Sequence, residues 1–276
     1  MSLLAYKQDV YKPRFIVKQY DKYSGRIIKL KNVRQKGFEE FVKDESLFDK
    51  CIKTDTEEIE RISVSRTKRN IREICLCNNF DYFATWTINE KNTDRFHLDK
   101  VVEEMKKLLK AYKRKNKDFK YIYIIEQHEK GGFHFHGFVM GVPKEDFIQY
   151  TKEDYTFPKK LPYKLIDKIQ SGQEIFHIPF FDNKLGFNTF SKIKSKYGAA
   201  NYIMKYITKD APVRTTENQI YFCSRGLKRA ETIEIFPDLD FQFKNQYSND
   251  FCIVYDYNII NLKQKYLLDL IMSYKM

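Results

Sequence analysis

Two histidines separated by a single residue, His134 and His136, lie in the segment Phe133–Met140. The segment is apolar and rich in aromatic residues, which predicts a β-strand, and residues two apart in a strand point to the same face. We therefore expect the two imidazoles to be neighbours on one side of a sheet, with Phe133 and Phe135 on the other side. Because neutral imidazole is a common ligand of divalent metal ions, the pair is a candidate metal site.

A carboxylate from the preceding strand is expected to join the two imidazoles. Phe119–Gln127 predicts a strand, and a loop containing Gly131-Gly132 connects it to the histidine strand, which favours a hairpin. If the hairpin is symmetric about Lys130, Glu126 lies opposite His134 on the same face. Two neutral imidazoles and one carboxylate would leave a divalent ion with positive charge and open positions for a substrate. The alternative is a Glu–His pair at the protein surface, without a metal.

Two tyrosines form a second candidate site in the segment Lys196–Lys209, which predicts a helix. At about 100° per residue, Tyr202, Lys205, Tyr206 and Lys209 share one stripe of this helix. The opposite face carries the apolar residues Ala200, Ile203, Met204 and Ile207. A phenol is a poor nucleophile at neutral pH, but nearby cations and a metal-polarised electrophile could activate it. The alternative is an ordinary amphipathic helix with packed tyrosines and solvated lysines.

The elements that would position these side chains follow from hydrophobic periodicity. Strands are predicted at residues 81–89, 119–127, 133–140, 184–193 and 220–227, and helices at 97–113, 162–170 and 196–209. An order of strand–helix–strand–strand followed by strand–helix–strand is typical of an antiparallel sheet. The sequence therefore predicts an α+β fold, with an antiparallel central sheet of about five strands and flanking helices on one face.

The charge of the chain indicates its class of partner. Its 276 residues include 50 Lys and Arg against 37 Asp and Glu, a formal net charge of +13. Such an excess predicts a polyanionic partner, with nucleic acid first and an anionic membrane surface second. An RNA-binding protein is a further hypothesis, which only the charge and the aromatic content support.

Residues 1–36 carry a net charge of +8, more than half of the excess. They contain two short predicted strands around the turn-like tripeptide Tyr23-Ser24-Gly25. The segment is either a basic arm on DNA phosphates or a solvated hairpin with a Lys-rich edge. The candidate phosphate contacts in it are Lys12, Arg14 and Lys18.

The composition also divides the chain into segments. Residues 37–60 are acidic and typical of a connecting helix or linker. We therefore predict a basic N-terminal extension over residues 1–70, a central domain over 71–235 and a C-terminal extension over 236–276. A final helix is expected from residue 259.

Several classes of protein are excluded by what the sequence lacks. No apolar run approaches the roughly 18 residues of a membrane helix, and the N-terminus lacks the apolar core of a signal peptide. Five scattered cysteines are typical of a reducing compartment. No GxxxxGKS or GxxxxGKT motif is present, so no P-loop ATPase is encoded. We expect a cytoplasmic protein without a membrane partner.

Three blocks, in this order, resemble rolling-circle replication initiators of the HUH endonuclease superfamily. Phe83–Asn89 resembles their first motif, and Glu126–His136 resembles their metal motif, in which an acidic residue precedes a His-hydrophobic-His unit. Tyr202–Tyr206 resembles the tyrosine motif of the two-tyrosine branch. Ser224–Leu227 resembles a segment of initiators from small single-stranded DNA phages. The resemblance covers residues 75–235, and the tyrosines follow the histidines, unlike in conjugative relaxases.

The resemblance implies an HUH endonuclease fold, a ferredoxin-like variant, and a site-specific single-strand DNA endonuclease and strand transferase. The residues that it implies for Mg²⁺ or Mn²⁺ binding are Glu126, His134 and His136. One of Tyr202 and Tyr206 would attack the scissile phosphate and leave a 5′-phosphotyrosine and a free 3′-OH. The other tyrosine would cleave the regenerated origin, so that the strand can be rejoined. Lys205 and Lys209 would neutralise phosphate oxygens or the developing phenolate.

The same resemblance suggests partners and leaves two alternatives. Arg225 and His128 are further candidate DNA contacts. The expected partners are single-stranded or supercoiled origin DNA, with a helicase and a DNA polymerase that the bacterial host or a separate gene supplies. The alternatives are a two-tyrosine rolling-circle transposase and a non-catalytic origin-binding protein, such as a repressor or packaging factor.

Overall fold

The structure is a computed structural model that describes residues 14–31, 56–91, 93–128, 131–156, 161–182, 184–208, 213–215, 219–235, 247–248, 252–258, 269 and 273. In chain order the elements are β1 (Arg14–Gln19), β2 (Ser24–Leu30), α1 (Thr56–Cys77), β3 (Tyr82–Thr87), α2 (Leu98–Lys115), β4 (Lys120–Gln127), β5 (Phe133–Met140), β6 (Ile148–Gln149), α3 (Glu153–Thr156), α4 (Tyr163–Gln170), β7 (Ile175–His177), α5 (Pro179–Asp182), β8 (Asn188–Lys192), α6 (Lys196–Thr208), β9 (Tyr221–Cys223), β10 (Glu231–Ile235), β11 (Tyr247–Ser248) and β12 (Cys252–Asn258). They belong to two compact units, one of residues 56–228 and one that combines residues 1–55 with 229–276.

The larger unit contains an antiparallel sheet in the order β6-β7-β8-β3-β5-β4-β9. The α+β class and the antiparallel sheet confirm the predicted fold. The sheet has seven strands where about five were expected. The two unpredicted strands, β6 and β7, have two and three residues, too few for hydrophobic alternation to reveal them.

The central hairpin has the register that the sequence predicts. In the ladder between β4 and β5, Glu126 lies opposite His134 and Ile124 opposite His136. Gly131 follows in the turn with a φ of 86°, in the left-handed region that glycine adopts without strain. The histidines and the glutamate therefore share one face of the sheet.

The opposite face of this hairpin packs against α2. The helix buries an apolar stripe that includes Val101, Met105 and Leu109, which recur at helical spacing. These residues join one core cluster with Trp86 and Phe135, both fully buried. Burying such large side chains makes the sheet a rigid platform for the groups on its other face.

Helix α6 covers the histidine face, so helices flank the sheet on both sides. Phe83, which alternates with the core residues of β3, contacts Tyr202 and Tyr206 of α6. The expectation that the helices lie on one face was wrong. The order of strands and helices along a chain does not specify the face to which each helix returns.

Helix α1 extends the larger unit in the N-terminal direction. It has 22 residues and packs with α6, whereas the sequence suggested that the domain begins near residue 71. Its apolar residues Ile71, Ile74 and Leu76 are buried. Residues 32–55, which include most of the predicted linker, lie outside the described residues.

The smaller unit is a second antiparallel sheet, in the order β10-β1-β2-β12-β11. Strands from both ends of the chain therefore pair in one sheet, whereas the sequence suggested two separate extensions. Arg26 of β2 makes a bidentate ion pair with Asp256 of β12, with N–O distances of 2.6 and 2.8 Å. The predicted helix from residue 259 lies almost entirely outside the described residues.

The turn between β1 and β2 occurs a few residues earlier than expected. Ser24 and Gly25 belong to β2 rather than to the turn. The Asp21 carboxylate accepts hydrogen bonds from the Tyr23 amide and the Ser24 hydroxyl, at 2.9 and 2.8 Å. This Asx-type turn is stabilised by the aspartate, so the glycine is not needed for it.

The charge of the chain is distributed differently once the two units are separated. Residues 56–228 carry 32 Lys and Arg against 22 Asp and Glu, a net charge of +10. The basic residues 1–36 belong to the other unit, where acidic residues offset most of their charge. None of the described helices has both the length and the apolar character needed to cross a membrane.

Candidate active site

A carboxylate and two imidazoles meet on the face of the central hairpin that α6 covers. The Oε2 atom of Glu126 lies 2.8 Å from Nε2 of His136, at hydrogen-bond distance. In register Glu126 lies opposite His134, so its side chain reaches diagonally to the second histidine. The sequence predicted which residues come together, but not this diagonal contact.

Two threonines of β3 orient the imidazoles. Thr85 Oγ1 lies 3.2 Å from Nδ1 of His136, and Thr87 Oγ1 lies 3.2 Å from Nδ1 of His134. When Nδ1 carries the proton and donates it to the threonine, Nε2 becomes an acceptor that can bind a metal. The sequence reasoning missed these threonines, although their spacing of two in a predicted strand was a usable signal.

His134 is half-buried and its environment keeps it neutral. Burial, helped by His136 and His128, lowers the pKa of His134 to about 4. At neutral pH the ring is therefore uncharged, which is the form that coordinates metals.

The tyrosine helix begins with a capped N-terminus and buries one face. The amide of Gly198 donates to Oγ of Ser195 at 3.1 Å, which satisfies one of the free donors at the start of α6. Ala200, Ile203 and Ile207 are buried, as the helical pattern predicted, while Met204 is only half-buried. This packing fixes the rotation of the helix and directs Tyr202 and Tyr206 toward the edge of the histidine site.

The two tyrosines lie directly against the histidine site. The ring of Tyr206 stacks on the imidazole of His136, with centroids 4.0 Å apart and planes at 14°. The Tyr206 hydroxyl donates to the Tyr202 hydroxyl at 2.9 Å. Tyr202 is 42% exposed, so the phenol pair is open to solvent on one side.

Phe83 of β3 supports both tyrosines from below. Its ring lies 5.2 Å from that of Tyr202, edge to face, and 6.3 Å from that of Tyr206. It also stacks with His136 at 6.1 Å. Phe83 belongs to the segment that resembles the first motif, but the sequence gave no indication of this contact role.

The environment of Tyr206 disfavours its ionised form. Burial raises the pKa of Tyr206 above its ordinary value, and its hydrogen bond to Tyr202 and the negative charge of Glu126 raise it further. A phenolate at this position would therefore need added positive charge nearby. A divalent cation on Glu126 would remove one of these opposing effects.

The remaining predicted site residues are placed as follows. The ring of His128 lies 5.3 Å from that of His134, so this loop histidine belongs to the site. Lys205 is exposed, with Nζ 5.6 Å from the centre of the Tyr202 ring. Arg225 is exposed after β9, and Lys18 lies on β1 in the smaller unit. Lys12, Lys209 and the side chain of Arg14 lie outside the described residues.

The donors at this site fit a divalent cation in their chemistry. Glu126 and His136 are already in contact, and His134 presents a neutral imidazole on the same face. Within the described ranges, no three His, Cys, Asp or Glu side chains are grouped closely enough to enclose a metal ion. Since Glu126 bonds only His136 of the pair, binding would require a side-chain adjustment of the carboxylate or of His134.

Comparison with known families supports the assignment. Residues 81–211 match a family of replication-associated proteins, the ORF2 type. This segment is a rolling-circle Rep-type domain. The match includes β3, β4, β5 and α6, which carry the threonines, the Glu–His site and the tyrosines. No curated protein and no solved structure matches the chain significantly.

The Rep-type domain ends before part of the larger unit does. Helix α1 and strand β9 both belong to the compact unit of residues 56–228 but lie outside the matched segment. The unit therefore combines the Rep-type domain with additional elements at its edges.

Proposed function

We propose that this chain nicks and rejoins origin DNA during rolling-circle replication, with a tyrosine as nucleophile and a divalent metal ion as cofactor. The observation that carries the proposal is the stacking of Tyr206 on His136, which brings a phenol pair to a Glu–His site inside a Rep-type domain. Neither group alone would distinguish this activity from a surface ion pair or an ordinary helix.

In this mechanism Glu126, His134 and His136 hold the metal ion. Mg²⁺ or Mn²⁺ would supply Lewis-acid polarisation of the scissile phosphate and stabilise the charge that develops there. Thr85 and Thr87 keep Nε2 of each imidazole directed at the site.

The phenol oxygen of one tyrosine attacks the phosphorus and displaces the 3′-oxygen of the preceding nucleotide. The products are a 5′-phosphotyrosine and a free 3′-OH, and the phenol proton moves to the leaving oxygen or to solvent. Because the ester keeps the bond energy, rejoining needs no ATP. The Tyr206–Tyr202 hydrogen bond gives the phenol proton a first acceptor.

The second tyrosine gives the site a way to end replication. After one round it cleaves the regenerated origin, and the released 3′-OH attacks the first phosphotyrosine ester and closes a circle. With their hydroxyls 2.9 Å apart, both tyrosines can reach one reaction centre in turn. Lys205, and Lys209 one turn later, would neutralise phosphate charge near them.

The proposed partners follow from this chemistry. The substrate is single-stranded or supercoiled origin DNA, and the 3′-OH would be extended by a separate DNA polymerase. Because the sequence encodes no P-loop, a separate helicase must unwind the duplex. The bacterial cytoplasm is the compartment in which these partners would be found.

The direct test is covalent capture of labelled origin DNA. The protein is incubated with Mn²⁺ and a single-stranded oligonucleotide from its own origin, and the adduct is resolved by denaturing electrophoresis. We expect an adduct with the wild type, with Tyr202→Phe or Tyr206→Phe in at least one case, and none with the double variant. Tyr197→Phe, on the same helix, is the matched control and should form the adduct normally.

Two outcomes would contradict the proposal. An adduct that persists in the double variant would rule out these tyrosines as nucleophiles. DNA binding without any adduct or nick would instead favour the origin-binding alternative.

A further inference from the structure

A groove of about 490 Å³ lies between α1 and β9 in the larger unit. Ser63 and Thr67, one helical turn apart on α1, form one side of it. Gln219, Tyr221 and Arg214 contribute to the other side. All of these residues lie outside residues 81–211, so the groove is formed by elements added to the Rep-type domain.

The groove is on the same face of the sheet as the candidate active site. Strand β9 pairs with β4, and Tyr221 lies opposite Ile124. Ile124 lies opposite His136 in the next ladder, so Tyr221 and the histidine share a face. Continuing the β4–β9 register by two residues brings Gln219 level with Glu126. One end of the groove is therefore adjacent to the Glu–His site.

The groove end near Glu126 is held by local hydrogen bonds. The amide of Thr215 donates to the carbonyl of Gln219, and the amide of Gln219 donates to Oγ1 of Thr215, both at 3.1 Å. Arg214 precedes this turn and makes an ion pair with Glu60 of α1 at 3.7 Å. These contacts hold the guanidinium between the two walls of the groove.

The lining has the chemistry of a strand-binding channel. A guanidinium, two hydroxyls and an amide are groups that commonly bind phosphate oxygens. A half-buried tyrosine ring, Tyr221, offers an edge or face for base stacking. The described lining contains no carboxylate, and the unit that surrounds it has a net charge of +10. Both features favour a polyanion.

We propose that this groove binds the single-stranded DNA that leads into the candidate active site. Arg214 contacts a phosphate, Ser63 and Thr67 contact the backbone, and Tyr221 stacks on a base. The inference rests on the proposed function for its direction, since it places the strand beside the nicking site. It assigns substrate positioning to elements that the family match does not include.

The test changes the charge at one wall of the groove in both directions. Ser63→Glu and Ser63→Lys are compared with Ser65→Glu and Ser65→Lys, which make the same changes on the exposed side of α1. Binding of a fluorescent 30-nucleotide single strand is measured by anisotropy in EDTA, so that no cleavage occurs. We expect about a fivefold to tenfold loss of affinity with Ser63→Glu and a gain with Ser63→Lys, because the charge at position 63 lies beside the phosphates. The Ser65 variants should differ from wild type by less than about twofold.

A gain of affinity with Ser63→Lys cannot result from misfolding, so it protects the test against an unstable variant. Arg214→Gln should also lower the salt dependence by about one phosphate contact. Equal effects at positions 63 and 65 would overturn the proposal. Equal effects on a 30-base-pair duplex and on the single strand would overturn its assignment to single-stranded DNA.

The groove and the endonuclease can fail separately. Nicking of the origin strand by the wild type is measured in parallel with Mn²⁺. Nicking without position-dependent binding would reject the groove and keep the endonuclease. Position-dependent binding without nicking would keep the groove and reject the endonuclease.

Discussion

The ring of Tyr206 lies against the imidazole of His136, with centroids 4.0 Å apart and planes 14° from parallel. This contact joins helix α6 to strand β5, so the phenols and the Glu–His pair are positioned by the same packing. A change at one group should therefore be felt at the other.

Replacing the histidines should separate cleavage from binding. His134→Ala and His136→Ala are expected to abolish metal-dependent conversion of supercoiled to nicked DNA, as EDTA should in the wild type. Low-salt DNA binding should stay within about twofold of wild type, since phosphate contacts provide most of the affinity. His97→Asn, which can still cap α2, is the control and should nick normally. Loss of binding in the histidine variants would indicate a structural role.

The threonines behind the histidines should control metal affinity. Thr85→Val and Thr87→Val remove the hydroxyls that lie 3.2 Å from Nδ1, while keeping a β-branched side chain in the strand. We expect Mn²⁺ affinity, measured by titration calorimetry, to fall by about 10-fold to 100-fold. Thr189→Val, on the neighbouring strand β8, should leave it unchanged. Unchanged affinity in the Thr85 and Thr87 variants would exclude this orienting role.

Phe83 should influence the reaction without contacting DNA. Phe83→Leu removes the ring that packs against Tyr202, Tyr206 and His136. A small displacement of a reacting group is costly, so we expect the nicking rate to fall about tenfold with binding unchanged. Phe80→Leu, which loses only a contact to Phe138 among the described rings, should retain the rate. Equal rates for both variants would contradict this positioning role.

Two glycines should respond to alanine in opposite directions. A Cβ at Gly137 of β5 would lie 2.2 Å from the carbonyl oxygen of Ile122, so Gly137→Ala should lower the free energy of unfolding by about 2 kcal/mol or more. Gly198 is exposed on α6, and a Cβ there meets only Ser195, at 3.4 Å. Gly198→Ala should raise the free energy of unfolding by about 0.5 kcal/mol through helix propensity. Denaturant unfolding checks both, and the opposite order would refute the packing described for β5.

The hairpin and the tyrosine helix could be predicted because their signals are local. Alternation of apolar and polar residues set the face of His134, and a short loop set the partner of Glu126. The burial of Ile203 and Ile207 followed from helical spacing in the same way. In each case the pattern lies within one or two adjacent elements.

Features that depend on distant segments were not predictable in this way. The stacking of Tyr206 on His136 requires the face to which α6 returns, which no local pattern specifies. The groove requires α1 and β9, separated by more than a hundred residues in the chain. The pairing of Arg26 with Asp256 spans 230 residues, so nothing near either residue could indicate it.

The terminal sheet has a consequence for how the chain is made. Strand β2 pairs with β12, so this sheet cannot be completed until residue 258 has been synthesised. Residues 56–228 contain all the strands of their own sheet, so that unit can form while the chain is still growing. Because long-range pairings close slowly, β1 and β2 would wait for partners made long after them. A nascent chain would thus hold a folded Rep-type unit before its first strands are paired.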